Sequence, residues 1–392
     1  MKITEVRTRV VEWRQATAPP QPHFCTNPMD LLELPADPMG TFRFHSWLLV
    51  EVASDSGEVG IGNAALAPRV AKQIIDLYLK PVLIGQNPFD VEFLWQHMYR
   101  RTMAFGRKGI GMAAISAVDI ALWDLMGKLA RQPVYRLMGG KTKAKIPVYA
   151  SRLYSQPPDA LAQEAARYKE QGFRAMKLRF GWGPADGAAG MQRNLELVRT
   201  VREVIGDEVD LMADAYMGWT LEYARRMIRM VAPYNLRWVE EPLIPDDLGG
   251  YAELKAMNAA PISGGEHEFT IYGFRQMIDA RAVDVIQFDT NRVGGLTQAR
   301  KIASLAEAYE VPVIPHAGQM HNYHVVMASL NSPMAEFFPR VDVEVGNELF
   351  WYIFKGEPPA KDGCVELDDA KAGLGLAVDE ESLKRFSVIE KV

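Results

Sequence analysis

Asp214, Glu240, Glu266, Asp289, His316 and Glu336 follow one another at intervals of 26, 26, 23, 27 and 20 residues, each at the polar end of a short apolar run. Lys177 and Arg179 close an earlier run of the same kind, and their alternation puts them on one face of an extended segment. Strand ends are polar wherever they meet solvent, but that alone does not account for seven consecutive runs that all end in an ionisable group. Three neighbouring runs end in carboxylates: Asp214, then Glu240 with Glu241, then Glu266. Brought together they repel, so a cation is expected among them. Ligation by oxygen alone favours a hard divalent ion, Mg²⁺ before Zn²⁺. Asp289 next to His316 would orient the imidazole and raise its pKa, making a base that works near neutral pH. Lys177 and Arg179 are expected on the opposite side of the ring. Such a set suits the removal of a proton from the carbon next to a carboxylate, because positive charge offsets the second negative charge that develops. A protonated Glu336 would add a hydrogen bond to the enediolate.

The elements that must position these residues follow from the pattern around them. From Lys145 onward, short apolar runs alternate with helical stretches: IPVYA, AMKLRF, DLMADA, RWVEE, PISGGE, VDVIQFD, VPVIPH and AEFF. Eight strands, each followed by a helix over about 200 residues, predict an α/β fold, a (β/α)8 TIM-type barrel, whose chemistry sits at the C-terminal strand ends. Upstream, MKITEVRTRVVEW and SWLLVEVASDSGEVGIGNA predict three antiparallel strands, the last two joined by a turn at Asp55-Ser56-Gly57. Residues 14–42 hold six prolines and no clear period, a long loop of the kind that carries function. Helical periodicity runs from Pro68 to Lys128, with Ile115, Val118, Ala121, Leu122 and Leu125 on one face. The expected division is an α+β capping domain at 1–125, completed by 352–392, and a barrel at 126–351.

Composition narrows the partners. The 392 residues carry a net charge of −5 and no run of five basic residues, so there is no footprint for nucleic acid. No segment of 18 consecutive apolar residues suggests a membrane span, and the alternating N-terminus is expected to be a strand and not a signal peptide. Two cysteines, Cys25 and Cys364, make neither a disulfide framework nor a zinc site, and a cytoplasmic location is expected.

Taken together, ALWDLMGK (121–128), PVYRLMGG (133–140), Lys177-Leu178-Arg179, ADAY (213–216), WVEEP (238–242), GGE (264–266), Gly294-Gly295 downstream of Asp289, and PHAG (315–318) resemble the enolase superfamily, mandelate racemase subgroup. The resemblance covers nearly the whole chain. It implies one Mg²⁺ per subunit held by Asp214, Glu240 and Glu266, a His316–Asp289 dyad as the base, as is general for histidine-dependent members, Glu336 as an electrophilic group, and a cap closing over the barrel mouth. It also implies a homo-oligomer. The racemase pattern places a second lysine where this chain has Arg179, a poor base. A racemase needs bases on both faces of the carbon, so dehydration is favoured. His316 would remove the C2 proton and protonate the departing 3-hydroxyl, with Lys177 contacting the substrate carboxylate, to give a 2-keto-3-deoxy acid. GWGPADGAAG (181–190), APYNLRWVEE (232–241), GYAELK (250–255) and GGEHE (264–268) are similar to L-rhamnonate dehydratase-type sugar-acid dehydratases. The expected substrate is a small anionic sugar acid of the L-rhamnonate, L-lyxonate or L-mannonate type. His23 and Arg43, in or beside the cap loop, are candidates for its distal hydroxyls, Trp182 for a lid, and Arg179 and His267 for further substrate contacts.

Rival assignments fare worse. Gly109 to Ala114 fits a dinucleotide fingerprint but follows a helix instead of a strand. The first barrel strand, IPVYA, lacks the His-x-His pair of barrel metallohydrolases. His321 and His324 are expected on a helix surface or behind the site. A racemase or epimerase of 2-hydroxy acids, and a non-catalytic sugar-acid-binding protein, stay open as alternatives.

Overall fold

The computed structural model describes residues 1–13, 23–31, 45–340 and 347–387; Arg43 lies outside them. Strands β1 (Ile3–Glu12), β2 (Ser46–Ser54) and β3 (Val59–Ala64) form the expected antiparallel sheet, with Val6 opposite Val52 and Val50 opposite Gly62. Helix α1 (Pro68–Ile74) continues through a wider π turn at Ile75–Leu79 into α2 (Lys80–Leu83), followed by α3 (Val91–Gly106), α4 (Ile110–Ala130) and the single turn α5 (Val134–Leu137).

The periodicity of α4 suggested one apolar face, yet every residue from Gly111 to Gly127 is buried. The sheet covers one side, and α3 and α11 (Gly295–Glu307) cover others. Its length and hydropathy would suffice for a membrane span, and this fold spends them on a central core helix instead. Contact with the sheet is close. A side-chain carbon at Gly60 would overlap the Ala121 carbonyl oxygen, and one at Gly62 the Ala117 carbonyl oxygen. Helix α4 also runs unbroken across the 125/126 boundary expected between cap and barrel.

The barrel strands are β4 (Ile146–Leu153), β5 (Ala175–Arg179), β6 (Asp210–Asp214), β7 (Trp238–Glu240), β8 (Ile262–Gly264), β9 (Val285–Ile286) and β10 (Ala335–Phe337), parallel in the order β10-β4-β5-β6-β7-β8-β9. Helices α6 (Pro158–Glu170), α7 (Gly187–Ile205), α8 (Leu221–Val231), α9 (Leu248–Ala256), α10 (Thr270–Asp279), α11 and α12 (Met320–Ala328) alternate with the strand runs. Two expectations need correction. The seventh run, VPVIPH, is joined to its neighbour only by isolated bridges, Ile286 to Val313 and Asp289 to His316. After the eighth strand there is no full barrel helix among the described residues, only the turn α13 (Phe350–Ile353).

The C-terminal tail serves both parts of the molecule, where the sequence suggested packing on the N-terminal part. Strand β11 (Phe354–Lys355) pairs with β13 (Ala377–Val378), and β12 (Cys364–Val365) adds antiparallel to the start of β4. Helix α14 (Glu380–Phe386) packs on β1, with the Phe386 ring 4.9 Å from that of Trp13 and a bridge from Ser387 to Val11.

Candidate active site

Each strand end delivers its side chain into the barrel mouth, where Lys177, Asp214, Glu240, Glu266, Asp289, His316 and Glu336 are all buried. The register sets Arg179 beside Asp214 and Asp214 beside Glu240 on adjacent strands. The chain then turns sharply: Tyr216, Glu241 and Ala317, just beyond Asp214, Glu240 and His316, have φ of 40°, 38° and 72°. Non-glycine residues held in this left-handed region concentrate at functional sites.

The dyad is assembled. His316 Nδ1 lies 2.9 Å from Asp289 Oδ2 and its Nε2 3.3 Å from Glu266 Oε2. Burial opposes charge on this ring, but the Glu266 carboxylate and the Asp289 hydrogen bond outweigh it and bring the pKa to about 9. Burial would likewise raise Asp289, and Arg292 and His316 more than reverse that. Arg292, which sequence reasoning missed, donates from Nη1 to Glu266 Oε1 at 3.0 Å, and its Nε sits 2.9 Å from Asp289 Oδ2.

Lys177 and Arg179 are not across the ring from the carboxylates, as expected, but among them. Lys177 Nζ is 2.6 Å from Glu240, 3.0 Å from Glu336 and 3.7 Å from Asp214. Arg179 pairs with Asp214 and lies over the Tyr154 ring. Glu336 accepts the Ala317 N–H at 2.8 Å. Burial would raise its pKa, but Lys177 and His316 bring it down to about 2.

The residues expected to hold a cation pack close enough to affect one another's ionisation. Burial, with Asp214, Glu336 and Glu266 nearby, pushes Glu240 up to about 7 despite Lys177. Six buried carboxylates (Asp214, Glu240, Glu241, Glu266, Asp289, Glu336) face three Lys/Arg side chains, Lys177, Arg179 and Arg292. That excess of buried negative charge, offered through oxygen atoms, fits a hard divalent cation. Among the described residues, a different three-residue grouping also offers ligand atoms: those of Glu241, Glu266 and His267 lie within 4.8 Å of one another. It shares Glu266 with the expected set, and Arg292 Nη1 already stands 3.2 Å from His267 Nε2 there. His267 Nδ1 bonds Glu241 Oε2 at 2.7 Å.

The described part of the cap loop docks on the mouth. Thr26 N–H donates to Phe180 O at 2.8 Å and its hydroxyl to Ala215 O at 2.7 Å. His23 stacks on Trp182 with ring centroids 5.3 Å apart, and its Nδ1 is 3.1 Å from Gly181 O. Trp182, the expected lid residue, is hydrogen-bonded through its backbone. Asn194 accepts the Gly181 and Trp182 N–H groups and donates to Trp182 O at 2.8 Å, and 187–190 already belong to α7. His321 and His324 are buried and not on a helix surface.

Comparison with known proteins agrees with the architecture. Residues 160–382 match the family described as enolase C-terminal domain-like, and residues 32–139 match the mandelate racemase/muconate lactonizing enzyme N-terminal domain. An L-rhamnonate dehydratase from Saccharopolyspora erythraea is 40% identical over 339 residues, 85% of this chain and 83% of that protein. The crystal structure of L-rhamnonate dehydratase from Gibberella zeae superposes with a TM-score of 0.86 at 32% identity, covering 98% of this chain and 95% of the other. A racemase from Streptomyces coelicolor A3(2), solved with bound magnesium, gives 0.84 at 30% identity, covering 98% and 100%.

Proposed function

The chain belongs to the mandelate racemase/muconate lactonizing enzyme family of the enolase superfamily, and on that premise we propose that it is a Mg²⁺-dependent dehydratase of an aldonate of the L-rhamnonate type. Arg179 carries this assignment. It stands where a racemase has its second base, stays protonated, and is committed to Asp214 and the Tyr154 ring. Lys177 is likewise engaged by Glu240 and Glu336, which leaves His316, oriented by Asp289, as the base.

Asp214, Glu240 and Glu266 would hold the ion. When bound, it supplies positive charge to the substrate carboxylate and takes up the Glu266 charge that otherwise favours protonated His316. His316 Nε2 accepts the C2 proton while Nδ1–H stays bonded to Asp289. The electron pair left at C2 spreads into the substrate carboxylate. It then forms the C2=C3 bond as the C3–O bond breaks, and His316 returns its proton to the departing hydroxyl, which leaves as water. The enol takes a proton at C3 and releases the proton of its C2 hydroxyl, and becomes the 2-keto-3-deoxy acid. Lys177, fixed between carboxylates, faces the negative charge that builds on the substrate oxygens.

The test is incubation of the purified protein with L-rhamnonate, L-lyxonate and L-mannonate plus Mg²⁺, with 2-keto acid detected as its semicarbazone. Product from one of the three is expected, with loss of product in EDTA and in His316→Asn by about 10³-fold or more. Interconversion of C2 epimers without loss of water would mean a racemase, and turnover of none of the three would refute the assignment.

A further inference from the structure

The dyad is held from the cap as well as from the barrel, and one cap residue reaches both of its halves. Asn63, buried near the end of β3, donates from Nδ2 to Gln319 Oε1 at 3.1 Å, three residues beyond His316. Its backbone oxygen accepts from Asn291 Nδ2, and the Asn291 N–H donates to Asp289 Oδ1 at 2.7 Å. A matching link lies on the barrel side, where Asn322 takes the Thr290 hydroxyl at 2.6 Å and donates to His316 O at 2.7 Å. The segments that carry Asp289 and His316 pair through two isolated bridges instead of a continuous ladder, with the His316 N–H donating to Phe288 O at 2.9 Å, and these amide contacts add side-chain ties that bear on the dyad itself.

We infer that Asn63 is a positioning residue for proton abstraction: the cap sheet sets the angle between His316 and Asp289, in addition to enclosing the substrate. The inference rests on the dyad acting as base, as set out above. A small displacement of a base from the proton it removes costs rate steeply while leaving substrate contacts intact. The effect should therefore fall on kcat and not on KM.

The experiment begins with wild-type protein and His316→Asn, whose difference in Mg²⁺-dependent turnover establishes the base independently of Asn63. If His316→Asn keeps its activity, the base assignment itself has failed. Asn63→Ala is then expected to lower kcat ten- to hundredfold with KM changed less than threefold, and to raise the deuterium isotope effect on kcat for C2-deuterated substrate. Gln319→Met should behave like Asn63→Ala, Gln319→Glu should retain near wild-type kcat because it still accepts from Asn63, and the Asn63→Ala/Gln319→Met pair should cost no more than either alone. The Gln319 variants keep the test open if Asn63→Ala does not fold. Unchanged kcat in both Asn63→Ala and Gln319→Met, additive losses in the pair, or a rise in KM alone would overturn the inference.

Discussion

At the scale of single residues, spacing along the sequence was a good guide wherever a side chain projects straight from a strand end. Lys177, Asp214, Glu240, His316 and Glu336 meet in the barrel mouth because successive strand-plus-helix units return to the same height. Arg292 and Asn63 were not legible, nor was the contact between Glu241 and His267, though each of that pair was named. Their side chains reach the site through loop turns or from the cap sheet, and no period records that. Arg292 lends itself to a test. It pairs with Asp289 and Glu266 together, so Arg292→Met removes the guanidinium from both buried carboxylates and leaves His316 between them. Loss of activity by about a hundredfold or more is expected, together with a lower denaturation midpoint, read from steady-state rates and chemical denaturation of the same preparation. Glu240→Gln should behave differently. It removes one of the oxygens expected to bind the cation, so calorimetric titration with Mg²⁺ should show affinity weakened at least tenfold while the fold is retained.

At the scale of elements, patterning located the strands and helices but not how completely they are enclosed. Helix α4 shows why: a helix gripped by a sheet and two helices needs apolar or small residues all round, and its strongest stripe then gives only one of its contacts. Two of its polar residues bind the barrel. Asp119 accepts the Thr297 N–H at 2.9 Å and the Thr297 hydroxyl at 2.6 Å, and Ser116 accepts the Gly294 N–H at 2.8 Å, fixing the start of α11. Asp119→Ala should cost about 3 kcal/mol in urea unfolding, since it strands buried donors. Gly62→Ala should cost about as much, because β3 then has to move off α4. Helix α12 gives a pH dependence. His324 Nδ1 accepts the Tyr135 N–H at 3.0 Å and Nε2 lies 3.2 Å from Leu374 O, so the neutral ring ties α5 and the tail to α12. Burial lowers His324, and His321 beside it, to about 4. The unfolded chain then binds more protons than the folded one between roughly pH 6.5 and 4. The stability this pair contributes is complete above that window and is lost as pH falls through it, by up to about 3 kcal/mol per histidine. Melting curves across pH 4–7 should show the loss, and His324→Gln should flatten it.

At the scale of the whole molecule, the chain builds a barrel and a cap that share their last residues. Leu374 N–H donates to Asp124 of α4 at 2.7 Å, β12 extends β4, and α14 closes on β1. Pairings hundreds of residues apart leave no mark in local pattern, which is why the tail could be assigned no more than a general place. Shortening the chain before residue 360 should therefore lower the thermal stability of both parts in one transition instead of freeing an intact barrel, as calorimetry would register. The closure of α14 on β1 also bears on how the protein is made. Ser387 is synthesised about 375 residues after Val11, so at about 5–20 residues per second β1 waits roughly 20–75 s for the helix that covers it. For that interval the nascent chain carries Trp13 without the Phe386 ring that later packs against it. Apolar surface left uncovered for that long favours aggregation of the nascent chain, so synthesis rate and chaperone supply bear on soluble yield alongside the stability of the finished fold.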